Sequence, residues 1–142
     1  MLKQIILGGV VSLANIAIHV TVMTVVVTVA RRASGARSQQ SPWWLPTIMM
    51  AAGTILLVAH VASVALWAAV YAVVQVAPGT ERALYFAFVN YTTLGYGDVL
   101  PGRAWELMGP ITAMNGIFLF GWTIAVTFEI LRLAMGRADE GR

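Results

Sequence analysis

The chain contains no cysteine, which excludes disulfide frameworks, thiolate metal sites and thiol nucleophiles and leaves the redox compartment open. Charge is nearly as scarce. Asp, Glu, Lys and Arg make up 11% of the 142 residues, whereas soluble domains carry about 25%, and 59% of residues are hydrophobic. This is the composition of a membrane protein. Lys and Arg outnumber Asp and Glu by 9 to 6, a formal charge of +3. The basic residues flank apolar runs instead of forming a patch or stripe, so nucleic-acid binding is excluded. Catalytic templates are missing as well: there is no HExxH, no GxSxG and no phosphate loop, and GYGDVLPG does not meet the GxGxxG spacing. An enzyme is not expected and no cofactor is implied.

What is present is a set of long uncharged runs. Residues 5 to 30 carry no formal charge, and at about 1.5 Å per helical residue they exceed the roughly 30 Å hydrocarbon thickness of a bilayer. The stretch VTVMTVVVTV alternates like a strand, yet a lone strand cannot satisfy its backbone in lipid, so residues 1–30 are assigned to an N-terminal transmembrane helix. A cleaved signal peptide has an apolar region of only about 7–15 residues, far shorter than this one. Residues 31–46 form a polar linker with Arg31, Arg32 and Arg37. A second span follows over 47–76, preceded by Trp43 and Trp44 at interface depth. After Pro78 and Gly79, residues 80–91 (TERALYFAFVNY) read as a helix capped by Thr80. It is too short to cross. A glycine-containing loop at 92–98 and a third span at 105–133 complete the series, with a tail at 136–142.

The expected fold is therefore an all-α membrane protein: three transmembrane helices plus a re-entrant half-helix and loop. Arg31, Arg32 and Arg37 of the linker and Arg132, Arg137 and Arg142 at the end of the chain fall on one side of such a layout. That side is assigned to the cytoplasm, which places the N-terminus outside and the C-terminus inside a plasma or inner membrane, with the re-entrant loop entering from outside. The first two spans contain no Arg or Lys. No charge array exists there to move in the membrane field, and steep intrinsic voltage sensing is not expected.

The loop NYTTLGYGDVLP, residues 90 to 101, poses the physical question. Irregular backbone at membrane depth is tolerated only where it is buried in protein or lines a water-filled cavity. Gly95 and Gly97 alternate with Leu94 and Tyr96, and glycine adopts φ values that side chains forbid. Such alternation lets successive carbonyls aim the same way. Several copies around an axis would stack the carbonyls of Thr93, Leu94, Gly95 and Tyr96, with the Thr93 hydroxyl, into oxygen rings able to replace the water around an alkali cation. One copy cannot encircle an ion, so the arrangement requires an oligomer.

TTLGYGD resembles the filter signature of the potassium channel family, for which TVGYG is a well-known related string. LYFAFVNYTTLGYGDVLPG is similar to that family's pore helix, filter and outer mouth, and NGIFLFG at 115 to 121 is similar to its inner helix with two glycines. The resemblance covers roughly residues 50 to 135. It implies a homotetramer in the bilayer with a pore domain over 47–135: outer helix 47–76, pore helix 80–91, filter 92–98 and inner helix 105–133. It further implies K+ as the permeant ion, coordinated by Thr93, Leu94, Gly95 and Tyr96, with Thr92, Gly97 and Asp98 supporting the filter. Leu94 stands where valine or isoleucine is usual; the position contributes a carbonyl, so selectivity is expected to survive. Val89 and Tyr85 stand where some members brace the filter with glutamate and tryptophan. A weakly selective cation channel and a non-conducting accessory membrane subunit are the alternatives.

On the third span the resemblance puts Gly116 at a hinge position and Gly121 at a close-packing position. Phe120, Ile124 and Phe128, at i, i+4 and i+8, are expected toward the pore, with Phe128 as the candidate constriction; ordinary helix packing is the alternative reading of the phenylalanines. Thr112, Thr123 and Thr127 either line that face or bond back to their own helix. Glu129, three residues before Arg132, reads as one half of an interfacial ion pair, with an ion-attracting ring or a proton sensor as the alternative. Ser12, Asn15 and His19 form a polar stripe on the first span, and His60 and Ser63 a second one at matching depth. These stripes are expected to pack together, with the first span at the periphery against the second.

Overall fold

The computed structural model describes residues 1–34, 43–76 and 79–139. They form four α-helices and a single 3-10 turn: α1 (Leu2–Ser34), α2 (Trp44–Val73), α3 (Thr80–Tyr91), the turn at Arg103–Trp105, and α4 (Met108–Asp139). Three stretches, Leu2–Ala33, Trp44–Val73 and Arg103–Leu133, are long and apolar enough to cross a membrane. This is a multi-pass membrane protein without a strand among the described residues.

The ends of the helices have local causes. α1 runs past Ala30 and takes Arg31 and Arg32 into its last turn, where cations are favoured by the helix dipole. α2 starts three residues earlier than the apolar run, at Trp44; Pro46 fits there because the first-turn N–H groups have no intrahelical acceptor. It stops at Val73, short of 76. Gln75 takes a positive φ of 55°, the Val76 N–H reaches back to the Tyr71 carbonyl at 3.0 Å, and the Gln75 amide donates to the Ala72 carbonyl at 2.7 Å. That is a Schellman-type stop with glutamine in place of the usual glycine. α3 spans the expected 80–91, but its N-cap is Gly79, without a side-chain cap, and Thr80 is the first helical residue. Residues 103–105 form the 3-10 turn, so α4 begins at Met108, not at Trp105, with Pro110 harmless in its first turn. Most of the expected linker, 35 to 42, and the last residues of the tail, 140 to 142, lie outside the described residues.

α3 is wedged between α2 and α4, and the core forms where the three meet. Trp67, Tyr71, Ala83, Ala87, Met108 and Leu119 are fully buried there. α1 does not sit mainly on α2, as the polar stripes suggested. Its most extensive packing is against α4, and it fills the groove between α4 and α2. The Gln4 side chain accepts the Leu107 N–H at 2.7 Å, Asn15 donates to Asn115 at 3.2 Å, and Arg31 lies 3.5 Å from Glu129. Both partners rise together along the chain, so α1 and α4 run parallel, and the start of α1 lies at the same end as the 92–98 loop. A smaller cluster of Val26, Ala30, Ala52 and Ile130 joins α1, α2 and α4 at the opposite end.

Candidate functional site

The 92–98 loop leaves α3 without a break in hydrogen bonding. The Thr92 N–H donates to the Phe88 carbonyl at 3.0 Å, Thr93 to Asn90 at 2.9 Å, Leu94 to Val89 at 2.9 Å and Gly95 to Val89 at 3.3 Å. Four successive loop amides thus satisfy three of the carbonyls at the end of α3 that a helix C-terminus leaves open, those of Phe88, Val89 and Asn90. Backbone handedness alternates through the same residues: φ is +63° at Thr93, +58° at Gly95 and +75° at Gly97, and Leu94 and Tyr96 between them are not in the positive region. Left-handed φ is unfavourable for a residue with a Cβ, and Thr93 holds it. With the amides turned to α3, the carbonyls of residues 93 to 96 accept no hydrogen bond from any described residue. Leu94 and Tyr96 present their side chains to the surroundings of the single chain.

Behind the loop lies a cavity of about 200 Å³, walled by Phe86, Val89, Asn90, Val99 and the start of α4. Asp98, at the end of the loop, lies beside the Tyr85 hydroxyl, and the carboxylate holds that phenol above the usual tyrosine pKa. Tyr85 therefore meets the loop's acid from the position where the resemblance had a tryptophan.

Several side chains seat the end of α3 against α4. A Cβ added at Gly116 would stand 2.0 Å from the Tyr91 carbonyl oxygen. At Gly121 such an atom would meet nothing within 4 Å. The space requirement within one chain is thus at Gly116, while the room around Gly121 is open. The Tyr71 hydroxyl is hydrogen-bonded to Thr112 and donates to the Met108 carbonyl at 3.2 Å. Asn115 is a buried junction: its Oδ1 accepts from Trp67 at 3.1 Å and from Asn15 at 3.2 Å. His60 of α2 lies 2.8 Å from the Tyr91 hydroxyl and 2.8 Å from the Thr123 hydroxyl.

The three α4 residues grouped by their spacing part company. Phe120 stacks on His60 with ring centroids 4.3 Å apart and is 38% exposed, while Ile124 and Phe128 are 70% and 66% exposed. At about 100° per residue, Phe120 and Phe128 differ by about 80° around the helix, enough to turn one ring into the subunit and leave the other outside. Thr112 and Thr127 bond back to the carbonyls of Met108 and Thr123. Glu129 forms a two-point pair with Arg132, at 2.9 and 3.1 Å, and also meets Arg31. His19 and His60 lie with ring centroids 4.8 Å apart, as their matching depths suggested.

Two of these contacts lay beyond sequence reasoning. Asn115 had a signal, since a polar side chain inside an apolar span needs a partner. Tyr91 had none: nothing in FVNYTTLG marks the residue before the threonines as the contact point of two helices.

Residues 55–133, more than half of the chain, match the pattern described as ion channel, and the chain belongs to that family. The match takes in most of α2, all of α3, the 92–98 loop and α4 up to Leu133, the elements that build and seat the loop. No curated protein matches the chain. No solved structure matches it either.

Proposed function

We propose that the chain is the subunit of a homotetrameric, potassium-selective channel, with α2 as outer helix, α3 as pore helix, residues 92–98 as filter and α4 as inner helix. The observation that carries this reading is the loop's alternating backbone, with φ positive at Thr93, Gly95 and Gly97, together with amides committed to α3. Carbonyl oxygens without protein partners need others, and a dehydrated cation on a shared axis supplies them.

Four loops around that axis place rings of oxygen from Thr93, Leu94, Gly95 and Tyr96, and the Thr93 hydroxyl, about the ion. K+ gives up its water to these neutral dipoles and is displaced stepwise by the next ion. Thr92, Gly97 and Asp98 hold the loop's ends. The function is passive conduction and not catalysis. A second copy on each side also covers Tyr96, 67% exposed in the single chain. On α4, Ile124 and Phe128 are the side chains free to form a hydrophobic constriction that closes by dewetting, Gly121 is free to admit a neighbouring helix, and bending of α4 is assigned to the Gly116 region. The basic ends of α1 and α4 face the cytoplasm, which sets the N-terminus outside a plasma or inner membrane.

Bi-ionic potentials across planar bilayers, potassium against sodium, test the assignment with Gly95→Ala as control. The expected result is a strong preference for potassium that Gly95→Ala abolishes. Equal permeability in the unsubstituted protein would mean a weakly selective cation channel, and no flux at all a non-conducting subunit.

A further inference from the structure

Among the described residues, His60 is the one side chain that touches both the end of α3 and the second half of α4 through hydrogen bonds. Its Nδ1 lies 2.8 Å from the Tyr91 hydroxyl and its Nε2 lies 2.8 Å from the Thr123 hydroxyl. A neutral imidazole offers one donor and one acceptor, and each hydroxyl can take the complementary role, so the ring is satisfied on both edges. The faces are held as well. Phe120 stacks at 4.3 Å with 17° between ring planes, and His19 of α1 stands 4.8 Å away, with its Nδ1 3.3 Å from the Ser63 hydroxyl one turn along α2.

Tyr91 is the last residue of α3 and is followed directly by Thr92 of the loop. It meets α4 twice. Its carbonyl lies against the bare Cα of Gly116, and its hydroxyl reaches Thr123 through His60. Those two α4 residues are about two turns apart. A change in bend or rotation of α4 between them moves Thr123 relative to Gly116 and cannot leave both attachments intact.

We propose that His60 is a positioning residue that ties the filter to the inner helix: the bridge Tyr91–His60–Thr123 transmits the position of α4 beyond Gly116 to the residue on which the filter is mounted, and α1 keeps His60 in register through His19 and Ser63. The inference rests on the channel reading above and adds a regulatory link to that site. The hydroxyls are the working groups, the imidazole joins them in series, and removing either one opens the link.

The experiment is a double-mutant cycle on the purified full-length protein in planar bilayers, reading the open-to-closed ratio, unitary conductance and potassium preference. Tyr91→Phe and Thr123→Val each remove one hydroxyl with little change of shape. Each is expected to move the open-to-closed ratio by about fivefold, the scale of one lost hydrogen bond, with conductance and selectivity unchanged. Because the bonds act in series, the double variant moves it no further than either single one. His60→Gln, which keeps one donor and one acceptor, stays near the unsubstituted protein, and His60→Leu matches the single hydroxyl variants. Independent effects that multiply in the double variant, or hydroxyl variants that gate normally, overturn the bridge and leave the channel assignment standing. A conducting protein is required for any of this, so an unsubstituted protein that passes no potassium overturns both. Should His60→Leu fail to assemble, the Tyr91 and Thr123 cycle decides alone.

Discussion

The Cα of Gly116 and the carbonyl of Tyr91 meet so closely that a Cβ would stand 2.0 Å from the oxygen and 3.0 Å from the carbonyl carbon. The obstacle is backbone at the junction of α3 and the loop, not the tip of a flexible side chain, so the clash cannot be relieved by a rotamer change. Gly116→Ala is expected to push α3 from α4 and cost about 1–3 kcal/mol or more. Gly121→Ala meets nothing in its own chain and is expected to leave the subunit fold intact. Thermal unfolding in detergent compares the two. A Gly116→Ala protein as stable as the unsubstituted one would show that α3 and α4 are not seated as described.

Within the loop, side-chain identity and backbone handedness separate cleanly. In the filter proposed above, Leu94 contributes a carbonyl from ordinary φ, so Leu94→Val is expected to keep the proposed potassium preference within about twofold in bi-ionic measurements. Gly97 sits at φ +75° with open space around it, so Gly97→Ala has no clash to explain a defect. Its left-handed backbone alone costs an alanine about 1–2 kcal/mol, enough to lower the population of the ordered loop by roughly five- to thirtyfold. Loss of selective flux is the expected outcome. A Gly97→Ala protein with unaltered selectivity would mean that handedness at 97 is not what orders the loop.

The sequence made α3 and the loop legible because their signals are local. Pro78 and Gly79 cannot continue α2, the apolar part of residues 80 to 91 is too short to cross, and GYG supplies the residues that alternating handedness needs. The placement of α1 was not legible. Its stripe of Ser12, Asn15 and His19 was plain, but acceptable partners existed on both other spans, and the stripe uses both: Asn15 bonds Asn115 of α4, and His19 approaches Ser63 of α2. Which helix dominates depends on shape along the whole groove. The stacking of Phe120 on His60 was not legible either: i, i+4, i+8 spacing drifts by about 40° per step, so three residues on one apparent line need not share the same surroundings. His60 was visible as a polar residue in lipid, but its partners Tyr91 and Thr123 lie on two other helices, beyond the reach of periodicity.

Asn115 is the point where α1, α2 and α4 share one acceptor. Replacing it by leucine leaves the Trp67 Nε1–H and the Asn15 amide without their bonds at 3.1 and 3.2 Å, both in the buried interior. An unsatisfied buried donor costs about 1–3 kcal/mol, so Asn115→Leu is expected to destabilise strongly although it adds apolar surface. Pairing it with Trp67→Phe removes one of the stranded donors and is expected to recover part of the loss. Thermal unfolding of the two single variants and the double checks this. Losses that simply add would deny that the two side chains share the bond.

Tyr85 and Asp98 define the last test, because the sign of their pH dependence is fixed by the contact. The Asp98 carboxylate favours the protonated phenol, and deprotonating it would set two negative charges together, so the phenol is held above its usual value. A raised pKa in the folded protein means that the stabilisation is fully present below the unfolded tyrosine value of about 10 and fades as pH rises through the folded one. The difference in thermal stability between the unsubstituted protein and Tyr85→Phe is thus expected to be constant between about pH 7 and 9 and to shrink in more alkaline solution. Tyr85 is exposed, so the difference itself is expected to be small, and the slope is the decisive quantity. A gap that widens on alkalinisation would require the phenolate to be the favoured form beside Asp98, and the influence of Asp98 on Tyr85 would then be wrongly assigned.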